Sequence, residues 1–343
     1  MKKAMFETGR SSVKLPMPAY ISGCGCIAGK KESEGPLAEA IDCLSSDNTF
    51  GTDNWDAAES KLQKEAVRIT LEKSGVDKRE IRYLFAGDLL GQSIASSFGL
   101  LDFEIPHFGL YGACSTCGES LSLGSMTVGT GLASKVMCVT SSHFASAEKE
   151  FRFPLEYGAQ RPISSTWTVT GSGAFLLTAD NGPKTLAKIS EITTGRIIDM
   201  GVKDSLNMGC AMAPAAADTI RQHMEDFGRK PGDYDAIITG DLGKVGSQAL
   251  VDLLKEKDID VTDKHLDCGM IIYDLENQDV GSGGSGCGCA AVTLASHILP
   301  RIKSGEWNRV LFLPTGALLS KTSFNEGQAV PGIAHAVVLE HVE

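Results

Sequence analysis

Residues 110–124, LYGACSTCGESLSLG, set Cys114 between a small-residue turn and the start of an apolar helical pattern. A thiol there meets unpaired backbone N–H groups and the positive end of a helix dipole, and both favour thiolate. Cys114 is therefore a candidate nucleophile, a candidate pocket floor, or a buried structural thiol. Cys24-x-Cys26, Cys114-x-x-Cys117 and Cys287-x-Cys289 also invite a zinc reading, and Cys114 with Cys117 a thioredoxin-like redox reading. They lie in glycine-rich apolar segments without histidines at ligand spacing. Small buried thiols in a reducing cytosol are the simpler interpretation, with no metal and no cofactor expected.

Other groups sit where strands should end. Asp88 and Asp241 occupy matching glycine turns, GD at 87–88 and at 240–241, and each carboxylate is expected to accept backbone N–H bonds there. His143 closes the buried run KVMCVTSSH and is a candidate pocket residue. Arg152, Arg161, Lys244 and Lys321 are the candidate cations for an anionic ligand, with Arg161 preferred because a guanidinium pairs carboxylates bidentately. His265 lies in a second-half insertion that gives it no evident role.

These residues need a layered scaffold. Segments 19–29, 81–91, 135–143 and 166–180 have the composition of buried strands, and 56–74 has that of a helix capped by Asp56 and closed by Gly75. Strands alternating with helices predict an α/β sheet with helices on its faces. The second half repeats the first: RYLFAGDLLG at 82–91 matches DAIITGDLGK at 235–244. SKVMCVTSSHFAS at 134–146 matches NRVLFLPTGALLS at 308–320, and TGSGAFLLTA at 170–179 matches PGIAHAVVLE at 331–340. The 134–146 match pairs His143 with Ala317, and the Cys114 segment matches SGGSGCGCAAVTLAS at 282–296. Four blocks in one order predict a duplicated unit, with halves at 1–180 and 181–343 and a site where strand ends and helix starts of both halves meet.

The chain has 343 residues, 42% of them apolar and 22% charged, enough for a sizeable core. Its net charge of −11 argues against a nucleic-acid partner held by phosphate neutralisation. Lys2 and Lys3 are not followed by an apolar run, and nothing approaches the roughly 18–20 apolar residues of a membrane span. A soluble, cytoplasmic protein is expected, peripheral to a membrane at most.

A duplicated α/β unit with YGACSTC opening a first-half helix resembles the thiolase superfamily, and the closing stretch at 311–340 resembles that family's final hairpin. The resemblance implies two βαβαβαββ halves in a five-layered αβαβα fold. Within the superfamily, VTSSHFASAEKEFRFPLEYGAQRP and SGGSGCGCAAVTLASHILPRIKSGEW look closely like the stage V sporulation protein AD family. That resemblance implies binding of dipicolinic acid, with or without calcium, in support of its uptake into the developing spore. It also implies a homodimer working with other stage V proteins of the A operon at the inner spore membrane.

Condensing enzymes of the superfamily bring two further residues, His with His or Asn, over the cysteine to donate to an oxyanion and move protons. At the matching positions this sequence has Asp241, in GDLG, and Ser285, in GSG. An aspartate opposes a developing oxyanion, and serine cannot shuttle a proton at neutral pH. Binding is favoured over turnover. The alternatives are a condensing-type acyltransferase using Cys114 and a purely structural subunit. If the ancestral pocket holds the ligand, Cys114, Ser115, His143, Arg161, Asp241, Ser285 and Gly286 surround it, with the Ser115 and Gly286 N–H groups on a carboxylate.

Overall fold

The computed structural model describes residues 5–151 and 161–343. The first half begins with a two-residue strand β1 (Glu7–Thr8), the 17-residue β2 (Ser12–Ala28) and a short β3 (Cys43–Leu44). Then come α1 (Trp55–Ser74), β4 (Tyr83–Gly87), α2 (Ile94–Leu100), β5 (His107–Gly109), α3 (Thr116–Gly129), β6 (Lys135–Ser142), α4 (Phe144–Phe151), β7 (Trp167–Thr168) and β8 (Gly171–Thr178). The second half runs β9 (Ala187–Thr193), α5 (Met208–Phe227), β10 (Ala236–Thr239), α6 (Gly243–Lys255), β11 (His265–Asp267), α7 (Cys268–Ile271), β12 (Gly284–Ser285) and α8 (Cys287–Thr293). A π-helical turn at Leu294–Ile298 joins α8 to α9 (Leu299–Lys303). The chain ends with β13 (Arg309–Leu313), β14 (Thr315–Ala317), α10 (Lys321–Asn325), β15 (Gly332–Ala334) and β16 (Ala336–Glu340).

The main strand order is β11-β10-β13-β16-β9-β2-β8-β6-β4-β5. Outward from the β2/β9 seam, each side repeats one pattern. β8 and β16 pair antiparallel to the seam strands, β6 and β13 pair antiparallel to those, and β4 with β5, and β10 with β11, follow in parallel. All three strand blocks matched in sequence fall on equivalent strands.

Period-two alternation builds the layers. In the first half, Phe85, Val136, Cys138, Phe175 and Leu177 face a core shared with Cys117, Leu121 and Val128 of α3 and Ala290–Val292 of α8. Their neighbours Leu84, Ala86, Met137, Val139, Ala174 and Leu176 face Leu62, Ala66 and Val67 of α1. In the second half, Ile238, Phe312, Val337 and Leu339 face the same middle helices, whereas Ile237, Leu311, Leu313 and Val338 face Met212, Ala216, Ile220, Leu250 and Leu254 of α5 and α6. The order is α1, first-half strands, α3 with α8, second-half strands, then α5 with α6: five layers.

Three local expectations are corrected. The cap of α1 is Asn54, whose side chain accepts from the Ala57 N–H at 2.9 Å, while Asp56 pairs with Lys149. The strand expected over 19–29 is β2, which begins at Ser12, because its early part pairs with β9. The segment at 166–180 is two strands: β7 leaves the main sheet to pair with β12, and only β8 stays in it.

The middle helices sit close to the strands. A Cβ at Gly118 of α3 would lie 2.7 Å from the His335 carbonyl oxygen and 3.0 Å from Pro314. Gly118→Val should therefore overpack the middle layer and destabilise by about 1–3 kcal/mol. Gly182→Ala, at a site with nothing within 4 Å, should stay within about 0.5 kcal/mol of wild type in urea unfolding.

Candidate functional site at the Cys114 elbow

Cys114 sits on a tight strand-to-helix turn. Ala113 has φ 50°, a left-handed conformation that is costly for a residue with a Cβ. Three hydrogen bonds hold it: Ser115 Oγ donates to the Gly112 carbonyl at 2.6 Å, Thr116 Oγ1 donates to the Ala113 carbonyl at 2.7 Å, and Gly112 N–H donates to Thr116 Oγ1 at 2.9 Å. The Ser115 N–H also goes to the Gly112 carbonyl, at 3.1 Å. Ser115 thus shapes the elbow, and both its donors are spent on it, contrary to the expectation of a free N–H for a ligand. The thiol packs among Leu89, Ala147 and Cys287.

Opposite the thiol lies Asp241, fully buried at the end of β10. Its carboxylate accepts from Thr315 Oγ1 at 2.7 Å, from the Gly286 N–H at 2.9 Å and from Ser285 Oγ at 3.0 Å. The Cys114 thiol lies within the electrostatic reach of the same carboxylate. Desolvation pushes the Asp241 carboxyl up, and the donors around it pull the other way. Burial and then the Asp241 charge push the Cys114 thiol well above its ordinary value, against smaller help from Ser285 and Gly286. This corrects the expectation of a thiolate: the helix start is present, but its field is outweighed.

Ser285 and Gly286 reach the first half through main-chain pairing. Trp167 N–H donates to the Gly283 carbonyl at 2.8 Å, and Val169 N–H donates to the Ser285 carbonyl at 2.9 Å. Gly286 has φ 99°, and a Cβ there would lie 2.5 Å from Ser142 Oγ, so only glycine fits the turn.

The two aspartates expected to act alike differ. Asp88 caps its own turn, accepting from the Leu90 N–H at 2.9 Å and the Ser96 N–H at 2.8 Å. Asp241 reaches across to β12 and α8, and its own turn is capped by Asp267, which accepts from the N–H groups of Leu242 at 2.9 Å and Gly243 at 3.0 Å. Burial, with the Asp241 charge adding to it, raises the Asp267 carboxyl to about 6. A further buried carboxyl, Glu59 of α1, accepts from Ser141 Oγ at 2.9 Å and from Ser146, and burial raises it too. Beside it Gln63 donates to Ser96, Ser141 and the Gly87 carbonyl. Glu59 has a sequence signal, since it shares the helical face of Leu62 and Ala66. Thr315, just after a buried strand, has none.

Both ring nitrogens of His143 are engaged within the fold. Its Nδ1 accepts from the Ala145 N–H at 3.1 Å, so Nε2 carries the proton and donates to the Asn48 carbonyl at 2.7 Å. The ring packs near Trp55 and Phe50, and burial lowers its basicity. It caps α4, which carries Ala147 against Cys114 and Glu148 against Arg161. Arg161 pairs with Glu148 at 3.2 Å, donates to the Thr166 carbonyl at 3.1 Å, and lies over Phe144 and Trp167. Lys244 and Lys321 are exposed at the starts of α6 and α10, and Arg152 lies outside the described residues. His265 bonds Thr239 at 2.9 Å, which in turn donates to Asp267 at 2.6 Å, so it does not replace the missing imidazole. All ten cysteines are free, and no cluster of potential metal ligands occurs among the described residues.

Two halves sharing a strand seam, with a cysteine elbow opening a middle-layer helix, define a protein of the thiolase fold. Solved structures agree in fold. They include 3-oxoacyl-[acyl-carrier-protein] synthase III from Aquifex aeolicus VF5, with TM-score 0.56, 15% identity, and coverage of 94% of this chain and 100% of that one. Human mitochondrial 3-ketoacyl-CoA thiolase gives 0.58 and 11% identity, over 96% of this chain and 99% of that one. Xanthomonas campestris OleA gives 0.59 and 14%, over 94% and 99%. The chain belongs to the stage V sporulation protein AD family, whose sequence profile matches residues 9–340. It is 42% identical over 333 residues to Stage V sporulation protein AD of Bacillus subtilis (strain 168), covering 97% of each chain.

The raised Asp267 carboxyl sets a pH dependence. Its folded value of about 6 exceeds the ordinary 3.8, so the folded state holds a proton that the unfolded chain has released between those values. That contribution is complete below the ordinary value and is lost as pH rises through the folded one, on the order of 3 kcal/mol in all. Asp267→Asn should be less stable overall but should flatten the slope of unfolding free energy against pH in this window, read by urea titrations.

Proposed function

We propose that the chain binds dipicolinic acid, a flat pyridine dicarboxylate, at the Cys114 elbow and supports its uptake into the developing spore. Membership of the sporulation family supports this reading. The observation that carries it is Asp241, a buried carboxylate where condensing chemistry needs an imidazole. It raises the thiol, opposes an oxyanion and already engages Ser285 and Gly286. Such a site can hold a ligand but is poorly built to turn one over.

A ligand carboxylate beside Asp241 needs one proton between the two acids. Binding then takes up a proton, and affinity rises as pH falls toward the range where Asp241 protonates. Arg161, held on α4 next to the residue that packs against Cys114, supplies the cation at the rim. Calorimetry with dipicolinate, with and without calcium, tests this. Cys114→Trp should abolish binding, and Asp241→Asn should remove the pH dependence. Arg161→Ala should cost roughly ten- to a hundred-fold, the loss of one charge-assisted hydrogen bond. Unchanged affinity in Cys114→Trp would move the ligand elsewhere.

A second reading rests on the strained Ala113 turn, which keeps the shape of a nucleophile elbow: a condensing-type acyltransferase. Acetyl-CoA and malonyl-CoA should give no ketoacyl product; sustained product formation abolished by Cys114→Ala would favour it.

The assembly proposed here is a homodimer that works with other stage V proteins of the A operon, peripherally on the cytoplasmic side of the inner spore membrane. No helix among the described residues is long and apolar enough to cross a membrane. The dimer reading draws on β5, an edge strand whose Phe108, and Tyr111 just after it, are each 50% exposed. Sedimentation should give twice the 36.3 kDa chain mass, and Phe108→Asp should give monomers. A wild-type monomer at micromolar concentration would refute the dimer.

A further inference from the structure

A cavity of about 500 Å³ lies away from the elbow, where β2, the end of α1, the start of β9 and the α8–α9 junction meet. Its apolar wall comes from Cys24, Leu186, Ala295 and Leu299. Three lysines converge on it: Lys73, Lys184 and Lys303. Lys73 pairs with Asp42 at 2.7 Å. Among the described residues Lys184 donates only to main-chain carbonyls, those of Lys73 at 2.9 Å and Ser74 at 3.0 Å, closing the end of α1 without neutralising its own charge. Lys303 has no hydrogen bond or ion pair among the described residues. Three cations thus face one carboxylate, in a chain of net charge −11.

The backbone around the cavity is irregular on two sides. The pairing of β2 with β8 shifts register between Ile21 and Gly23, and the wall residue Ala295 lies in the π-helical turn with Leu299 directly after it. Pro300 lacks the N–H that a regular helix needs there, which accounts for the turn. Bulges and π-turns recur at functional sites. The volume is in the range of small-molecule pockets.

We propose that this cavity is a second ligand site, for a small organic anion. An aromatic or short aliphatic body lies against Cys24, Leu186, Ala295 and Leu299, and a carboxylate or phosphate head meets Lys303, Lys184 and Lys73. The site stands independently of the function assigned to the Cys114 elbow.

Methyl NMR of the full chain, following Leu186, Ala295 and Leu299, tests it with benzoate, phenyl phosphate and inorganic phosphate. Saturable shifts of these methyls are expected with benzoate or phenyl phosphate, and which of the two binds tighter identifies the head group. Lys303→Glu, an exposed change that leaves the core untouched, should weaken binding roughly ten- to a hundred-fold. Lys255→Glu on α6 and Cys114→Ala should leave it unchanged. Leu299→Trp should fill the cavity and remove the shifts. The proposal is overturned by the absence of saturable shifts with every probe at millimolar concentration. Shifts indifferent to Lys303→Glu, or inorganic phosphate binding as tightly as phenyl phosphate, overturn it equally.

Discussion

The buried carboxylate of Asp241 is the constraint on which the rest of the site depends. A charge in the middle of five layers is costly unless donors surround it. Its donors come from three places: Thr315 after β13, Ser285 in β12, and the main chain at Gly286 before α8. Satisfying them fixes β12 against the end of β10. Because β12 pairs with β7, that lock extends into the first half. One acid therefore aligns the two halves at the elbow, and burial, reinforced by its charge, keeps the Cys114 sulfur in the thiol form. The positive start of α3 is insufficient for thiolate formation when the thiol is buried beside a carboxylate.

Most of the architecture is legible in the sequence because duplication writes it twice. Strands whose two faces are both buried give continuous apolar runs, and their repetition in one order fixed the pairing of halves. What is not legible comes from contacts between segments distant in the chain. Asp88 and Asp241 stand in near-identical turns, yet only Asp88 caps its own, since Asp267 has taken that role for the other. His143 ends a buried strand just where a site residue belongs, but the adjacent helix start and the Asn48 carbonyl consume both nitrogens. The split between β7 and β8 is hidden for the same reason: residues 167–168 find their partner more than a hundred positions later. Glu59 is the exception, a charge on an apolar helical face that the pattern alone exposes.

Charge is sorted by depth. Glu59, Asp88, Asp241 and Asp267 are interior acids, each held by hydroxyl or main-chain donors and none by a lysine or arginine among these bonds. The cations are placed farther out, on Arg161 at the α4 rim and on the lysines at the end of α1 and at α9. An anion approaching the chain is thus drawn to the periphery and must bring or find a proton to go deeper.

The seam strand has a consequence for synthesis. β2 spans 17 residues and is shared: its first part pairs with β9, its last part with β8. Ser12 pairs opposite Thr193, so the beginning of β2 waits for just over half the chain to leave the ribosome. At about 5–20 residues per second that interval is roughly 10–40 s. Throughout it, one flank of a glycine-containing strand has open main-chain groups. The two halves are repeats in space but not independent in time, because the second must arrive before the first strand of the first can finish.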